Sequence, residues 1–151
     1  MRTYLVVIDE SAESRTALRF AARRAAKTGG GVRILALVPQ AEFVQWGGVQ
    51  AAMEEEARLR ADALVAQVAG ELIEETGLRP IIEVRQGDPV AAVRETLADA
   101  PDIAALVLGA AVGAGPGRLV SHFAGAEVGQ MPCPVMIVPG ALSDEALDRL
   151  S

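Results

Sequence analysis

Aromatic side chains are nearly missing from this 151-residue chain. At 3% of its residues they leave a core to be assembled mostly from Ala, Val, Leu and Ile. The single cysteine, Cys133, excludes an internal disulfide and fits a reducing cytoplasm. His122 is the only histidine, so the roughly four N, S or O ligands of a zinc site have no matching cluster to come from. A Cys–His nucleophile pair is out of place too, because Cys133 lies between Met131-Pro132 and Pro134 and reads as a small buried hydrophobe beside a strand. There is no basic excess: the formal net charge is -6, which argues against a general nucleic-acid or anionic-membrane binder. No apolar run approaches the roughly 20 residues that span a bilayer. Asp9 and Glu10 interrupt the only apolar stretch near the N-terminus, so no signal-peptide layout is present. The expectation is a soluble, cytoplasmic, single domain over residues 1–151 with a core of its own.

What is there alternates between short apolar runs and amphipathic stretches. Tyr4 to Ile8 reads as a buried strand, and Ser11 stands where the N-cap of the next helix belongs. Ala17, Leu18, Ala21 and Ala25 recur at helical spacing, with Arg15, Arg19, Arg23 and Arg24 largely off that stripe, and Gly29 to Gly31 end the helix. Val32 to Val38 is a second strand. Residues 39–50 read as an apolar loop carrying Phe43, Val44 and Trp46, either folded onto the domain's own core or forming a flap or contact surface. From Ala51 to Thr76 the spacing predicts a long helix, opened by Glu54, Glu55 and Glu56 where the macrodipole favours negative charge. Its inner stripe is Met53, Ala57, Ala61, Leu64, Val65, Val68 and Leu72. Pro80 to Val84 is a third strand, and Gly87-Asp88-Pro89 starts a helix with Asp88 as N-cap and Pro89 in its first position. A short helix over Val90 to Ala98 follows, then a fourth strand, and Pro134 to Val138 is the last. In the C-terminal tail, 141–151, a short helix capped by Ser143 is expected.

This alternation predicts an α/β fold: one doubly wound domain, its parallel sheet covered on both faces. In such sheets ligands bind beyond the carboxyl ends of the strands where the strand order reverses. With a flavodoxin-like order 3-2-1-4-5 that place lies between strands one and four, so Asp9 and Gly109 would share a crevice. The stretch from Ile103 to Gly125 is the most informative part of the chain. A purely apolar run ends at Leu108, and a loop with Gly109, Gly113, Gly115 and Gly117 leads into another helix, the order in which backbone N–H groups converge on an anion. Arg118 adds positive charge. The same glycines also suit a tight strand-to-helix connection and close packing. No Gly-Lys-[ST] follows, so this is not a P-loop, and Asp9-Glu10-Ser11 stands where a dinucleotide fingerprint would. Ser121, His122 and Asp9 do not make a nucleophilic triad, because helix neighbours do not face each other; His122 reads instead as a helix-start residue.

Three separate pieces carry a resemblance. VVIDESAESRTALRFAARRAA, the Gly87-Asp88-Pro89 element, and DIAALVLGA followed by CPVMIVPG together resemble the universal stress protein family over nearly the whole chain. The resemblance implies a small, adenine nucleotide alpha hydrolase-like domain that usually dimerises by pairing its last strands, here Pro134 to Val138. Many members bind ATP and others have lost it. Asp9 matches the family's nucleoside-contacting Asp, and Gly109 the first glycine of its G-x2-G-x9-G-[ST] loop. The rest departs: Gly113 comes one residue late, Ser121 and His122 hold the places of the final Gly-Ser, the loop is one residue shorter, and Glu10 replaces a glycine. Ser121 thus carries a Cβ where a phosphate would need close approach, and Glu10 adds negative charge unless it points to solvent.

The expected cofactor-binding set is Asp9, Val38, Leu108, Gly109, Gly113, Gly115, Gly117, Ser121 and His122, with ATP or AMP and Mg²⁺ as the implied ligand. No catalytic residue and no metal ligand is assigned. The resemblance and the altered loop imply a non-enzymatic stress-response protein acting as a homodimer through partners. The alternative is an ATP- or AMP-binding switch. An enzyme hydrolysing that nucleotide ranks last, since no residue stands out as a general base.

Overall fold

The computed structural model describes residues 1–38 and 47–151. Five strands alternate with helices: β1 (Thr3–Ile8), α1 (Ala12–Thr28), β2 (Gly31–Val38), α2 (Gly47–Thr76), β3 (Ile81–Gln86), α3 (Pro89–Asp99), β4 (Ile103–Ala110), α4 (Arg118–Phe123), β5 (Val135–Pro139) and α5 (Asp144–Leu150). All neighbouring strands pair in parallel, in the order β3-β2-β1-β4-β5. This is the doubly wound α/β fold that the alternation predicts.

The two faces of β1 build the two halves of the core, because successive side chains in a strand point to opposite sides. Tyr4, Val6 and Ile8 pack with Ala17, Leu18, Ala21 and Ala25 of α1, Val68 and Leu72 of α2 and Leu147 of α5. Leu5 and Val7 face the other way, onto Val90, Val93 and Leu97 of α3 and Val120 and Phe123 of α4. The alanine stripe of α1 keeps that helix close to the sheet, and Phe123 is the largest fully buried side chain among the described residues. The expected caps are in place. Ser11, Asp88 and Ser143 each accept a backbone N–H from the first turn of the helix they precede, satisfying donors that a helix start otherwise leaves orphaned.

Some expectations are corrected. Residues 39–46 of the expected apolar loop, with Phe43, Val44 and Trp46, lie outside the described residues, while 47–50 belong to α2. Glu54 to Glu56 therefore sit about two turns inside the helix rather than at its opening. Met53, expected on the inner stripe, is exposed, whereas Ala57, Ala61, Val68 and Leu72 are buried as the spacing predicts. Cys133 is half-buried, and that partial burial raises its thiol pKa.

Candidate functional site

At the carboxyl ends of β1, β2, β3 and β4 the structure has a cleft of about 500 Å³. It opens between β1 and β4, where the strand order reverses, so the site lies where open α/β sheets bind ligands. Its apolar walls are Val7, Leu37, Val38, Leu108, Leu119 and Val120. Its polar rim is Asp9, Ser11, Glu13 and Ser14 from the turn into α1, Gly87 and Asp88 before α3, and Pro116, Gly117 and Arg118 before α4.

Each rim residue is fixed by local backbone chemistry. Asp9 Oδ1 accepts the Ser11 N–H at 2.8 Å and also the Ser11 hydroxyl, which is the way an Asx turn reverses the chain. Ser14, buried beneath, accepts the Asp9 N–H at 3.3 Å and returns its hydroxyl to carbonyls of the same turn. Asp88 Oδ2 caps α3 by accepting the Ala91 N–H at 3.0 Å, and its Oδ1 accepts Nη2 of Arg118 at 2.6 Å. The Ala91 N–H foremost, then Arg118, hold the Asp88 carboxyl below the usual carboxylate range. Gly117 stands before α4 at φ +98°, a region that disfavours L side chains, and the loop behind it is closed by the Ala111 N–H donating to Pro116 O at 3.1 Å.

The structure brings only part of the sequence-predicted set together. Asp9, Val38, Leu108, Gly109 and Gly117 line the cleft; Gly113, Gly115, Ser121 and His122 do not. Gly113 and Gly115 are exposed in the loop, and Ser121 is exposed within α4, its N–H donating to Gly117 O at 3.0 Å. His122 is not a helix-start residue. It sits in the last turn of α4, its Nε2 beside Glu127 and 3.1 Å from Nη2 of Arg94 on α3, and its ring meets Phe123 edge-on at 4.9 Å. Both residues lie within the six-residue helix α4, which starts at Arg118, and outside the lining of the cleft. Glu10 turns away from the cleft, 3.4 Å from Nε of Arg60 on α2. Glu13 was missed as a lining residue. Its signal was a carboxylate in the first turn of the helix that follows Asp9.

Electrostatically the described residues of the rim include three carboxylates, Asp9, Glu13 and Asp88, against one guanidinium, Arg118, a formal excess of two negative charges. Among the described residues no group of three or more His, Cys, Asp or Glu is arranged to hold a metal ion, and no helix is long and apolar enough to cross a membrane. Chemically the cleft offers carboxylate and hydroxyl acceptors over an apolar floor. That combination suits a flat ring bearing N–H or O–H donors better than a polyanion.

Fold and cleft together define a small open-sheet α/β domain of the kind that takes ligands at its switch point. The sequence profile of the Universal stress protein family matches residues 1–139, and the chain belongs to that family. A comparison with curated protein sequences finds no match. Among solved structures, the universal stress protein UspA from Lactobacillus plantarum is similar at 19% identity and TM-score 0.78, covering 91% of this chain and 97% of that one. A universal stress protein family protein from Arabidopsis thaliana, solved with AMP bound, is 17% identical with TM-score 0.62, covering 96% of this chain and 95% of that one. A universal stress protein solved in complex with cAMP is 21% identical with TM-score 0.57, covering 91% and 96%. Identities this low establish the shared fold.

Proposed function

We propose that this chain is a non-enzymatic stress-response protein that receives an adenine nucleotide in the switch-point cleft and acts as a homodimer through partners. The observation that carries the nucleotide reading is the cleft itself: about 500 Å³, apolar-floored, with Asp9 on its rim. The relatives solved with AMP and with cAMP have this fold. Val7, Leu37, Val38 and Leu108 would hold the base. Asp9 Oδ1 is taken by Ser11, so a ligand hydroxyl or amino group would be received by the other carboxylate oxygen. The absence of turnover is supported by where the lone histidine sits: His122 faces Arg94 and Glu127, away from the lining, so the cleft gains no imidazole base from it. The homodimer is supported by β5, an edge strand with Ile137 exposed and Val135 and Met136 half-buried.

The test is calorimetric titration of nucleotide-stripped protein with AMP and with ATP, each with Mg²⁺, for the wild type and Asp9→Asn. Asn retains a carbonyl acceptor for the Ser11 N–H, so the turn is kept while the charge is removed. Saturable AMP binding that weakens about tenfold or more in the variant, a loss of roughly 1.4 kcal/mol or more, supports the reading. No saturable heat with either nucleotide overturns it.

A further inference from the structure

Arg118 is the one cation lining the cleft among the described residues, and it is already engaged. Its Nη2 donates to Asp88 Oδ1 at 2.6 Å. Asp88 cannot easily swing aside, because its other oxygen caps α3 through the Ala91 N–H and its backbone is held at the helix start ahead of Pro89. A phosphate approaching Arg118 must therefore compete with a carboxylate that the fold keeps in place, and it does so in a cleft also lined by Asp9 and Glu13. A nucleoside carries no charge into this field. A monophosphate carries about two negative charges and a triphosphate about four, so the opposition grows with the phosphate chain. The side chains of Arg118 and Asp88 are 65% and 45% exposed, so solvent screens the pair and the result is selectivity, not absolute exclusion.

Resting on the reading of the cleft as an adenine-nucleotide site, we infer that Asp88 is a specificity-determining residue: its ion pair with Arg118 makes the cleft prefer adenosine or its monophosphate over the triphosphate. The rival account is a purely mechanical clip, in which the pair ties the start of α4 to α3, much as Arg94 and Glu127 tie the chain to α3 beyond the end of α4.

Calorimetry with adenosine, AMP and ATP, without Mg²⁺ and at fixed ionic strength, separates the two. The proteins are the wild type, Asp88→Asn, and Asp88→Asn combined with Arg118→Gln. Asn caps a helix as well as Asp does, so the single variant removes the charge and keeps α3 capped. In the wild type, ATP should bind about tenfold or more weaker than AMP; in Asp88→Asn that ratio should shift by about tenfold toward ATP, a change of roughly 1.4 kcal/mol. The shift should vanish in the double variant, because it runs through Arg118. Wild-type ATP binding as tight as AMP binding overturns the inference. So does an ATP-to-AMP ratio that Asp88→Asn leaves unmoved while its melting temperature falls, which is the signature of the clip. In both of those outcomes the nucleotide reading survives. Absence of adenosine and AMP binding in every protein overturns the reading and the inference with it.

Discussion

Gly109 shows how a single residue ties packing to the site. It lies at the end of β4 under the first turn of α1, where an added Cβ would fall 2.0 Å from the carbonyl oxygen of Glu13. No rotamer relieves a clash between a Cβ and backbone, so Gly109→Ala must push α1 away from the sheet. Overpacking of this kind costs about 1–3 kcal/mol, and urea denaturation should show an unfolding free energy lowered by that amount, read as a lower midpoint at unchanged slope; an unchanged midpoint would mean that α1 does not seat as described. Packing alone thus requires this glycine, which the sequence left open between close packing and a ligand's approach. Asp9 is a comparable case: its place at the end of the first strand made it readable as a site residue, but not its second task of closing the turn. His122 was legible only as a chemical type. Its partners Arg94 and Glu127 come from α3 and from beyond α4, and nothing local in the sequence pairs them.

The helices and strands with regular periodicity were legible, and those whose ends depend on tertiary contact were not. α1 could be read in full because a serine cap, an alanine stripe and glycines mark its start, face and end. α2 begins at Gly47, where two glycines of low helix propensity hide the start. α4 is too short to show a period. α5 was legible from Ser143, but what holds it was not. Leu147 is inserted in the core, and Asp148 accepts from Nε and Nη2 of Arg19, both at 3.1 Å, with Arg23 beside it. Arg19 above all, then Arg23 and Lys27, keep the Asp148 carboxyl below its usual range. A value lowered by folding means that this contribution is complete above the unfolded carboxylate pKa of about 4 and is lost as pH falls through the folded value. The wild-type melting temperature should therefore drop on acidification below about pH 4, and Asp148→Asn should flatten part of that drop. Parallel curves for the two proteins would show that the α5 clamp carries no acid-sensitive stability.

On the scale of the molecule, the alternation of elements implied a parallel sheet with right-handed crossovers, while the order 3-2-1-4-5, which the structure has, came from likeness to flavodoxin-like sheets. Which surfaces a partner would cover did not, because an edge strand and an interior strand can have the same apolar composition. β5 reads as apolar in sequence and lies at an edge in the structure, with Ile137 41% exposed. Light scattering at micromolar concentration should find the wild type as a dimer and Ile137→Arg as a folded monomer, since a charge on an edge strand blocks pairing. A monomeric wild type would remove the homodimer from the proposed function.

The opposite edge has a different consequence. β1 is buried along almost its whole length, while no residue of β3 is fully buried, and Ile81 and Ile82 are exposed. Resistance to local opening is therefore graded across the sheet, greatest at its centre and least at β3. Gly87 and Asp88 follow directly from that weakest strand. A molecule bridging Asp9 to Asp88 would join the most persistent part of the sheet to its most readily opened margin, so filling the cleft would be felt as slower amide exchange along β3, a strand that the ligand need not touch.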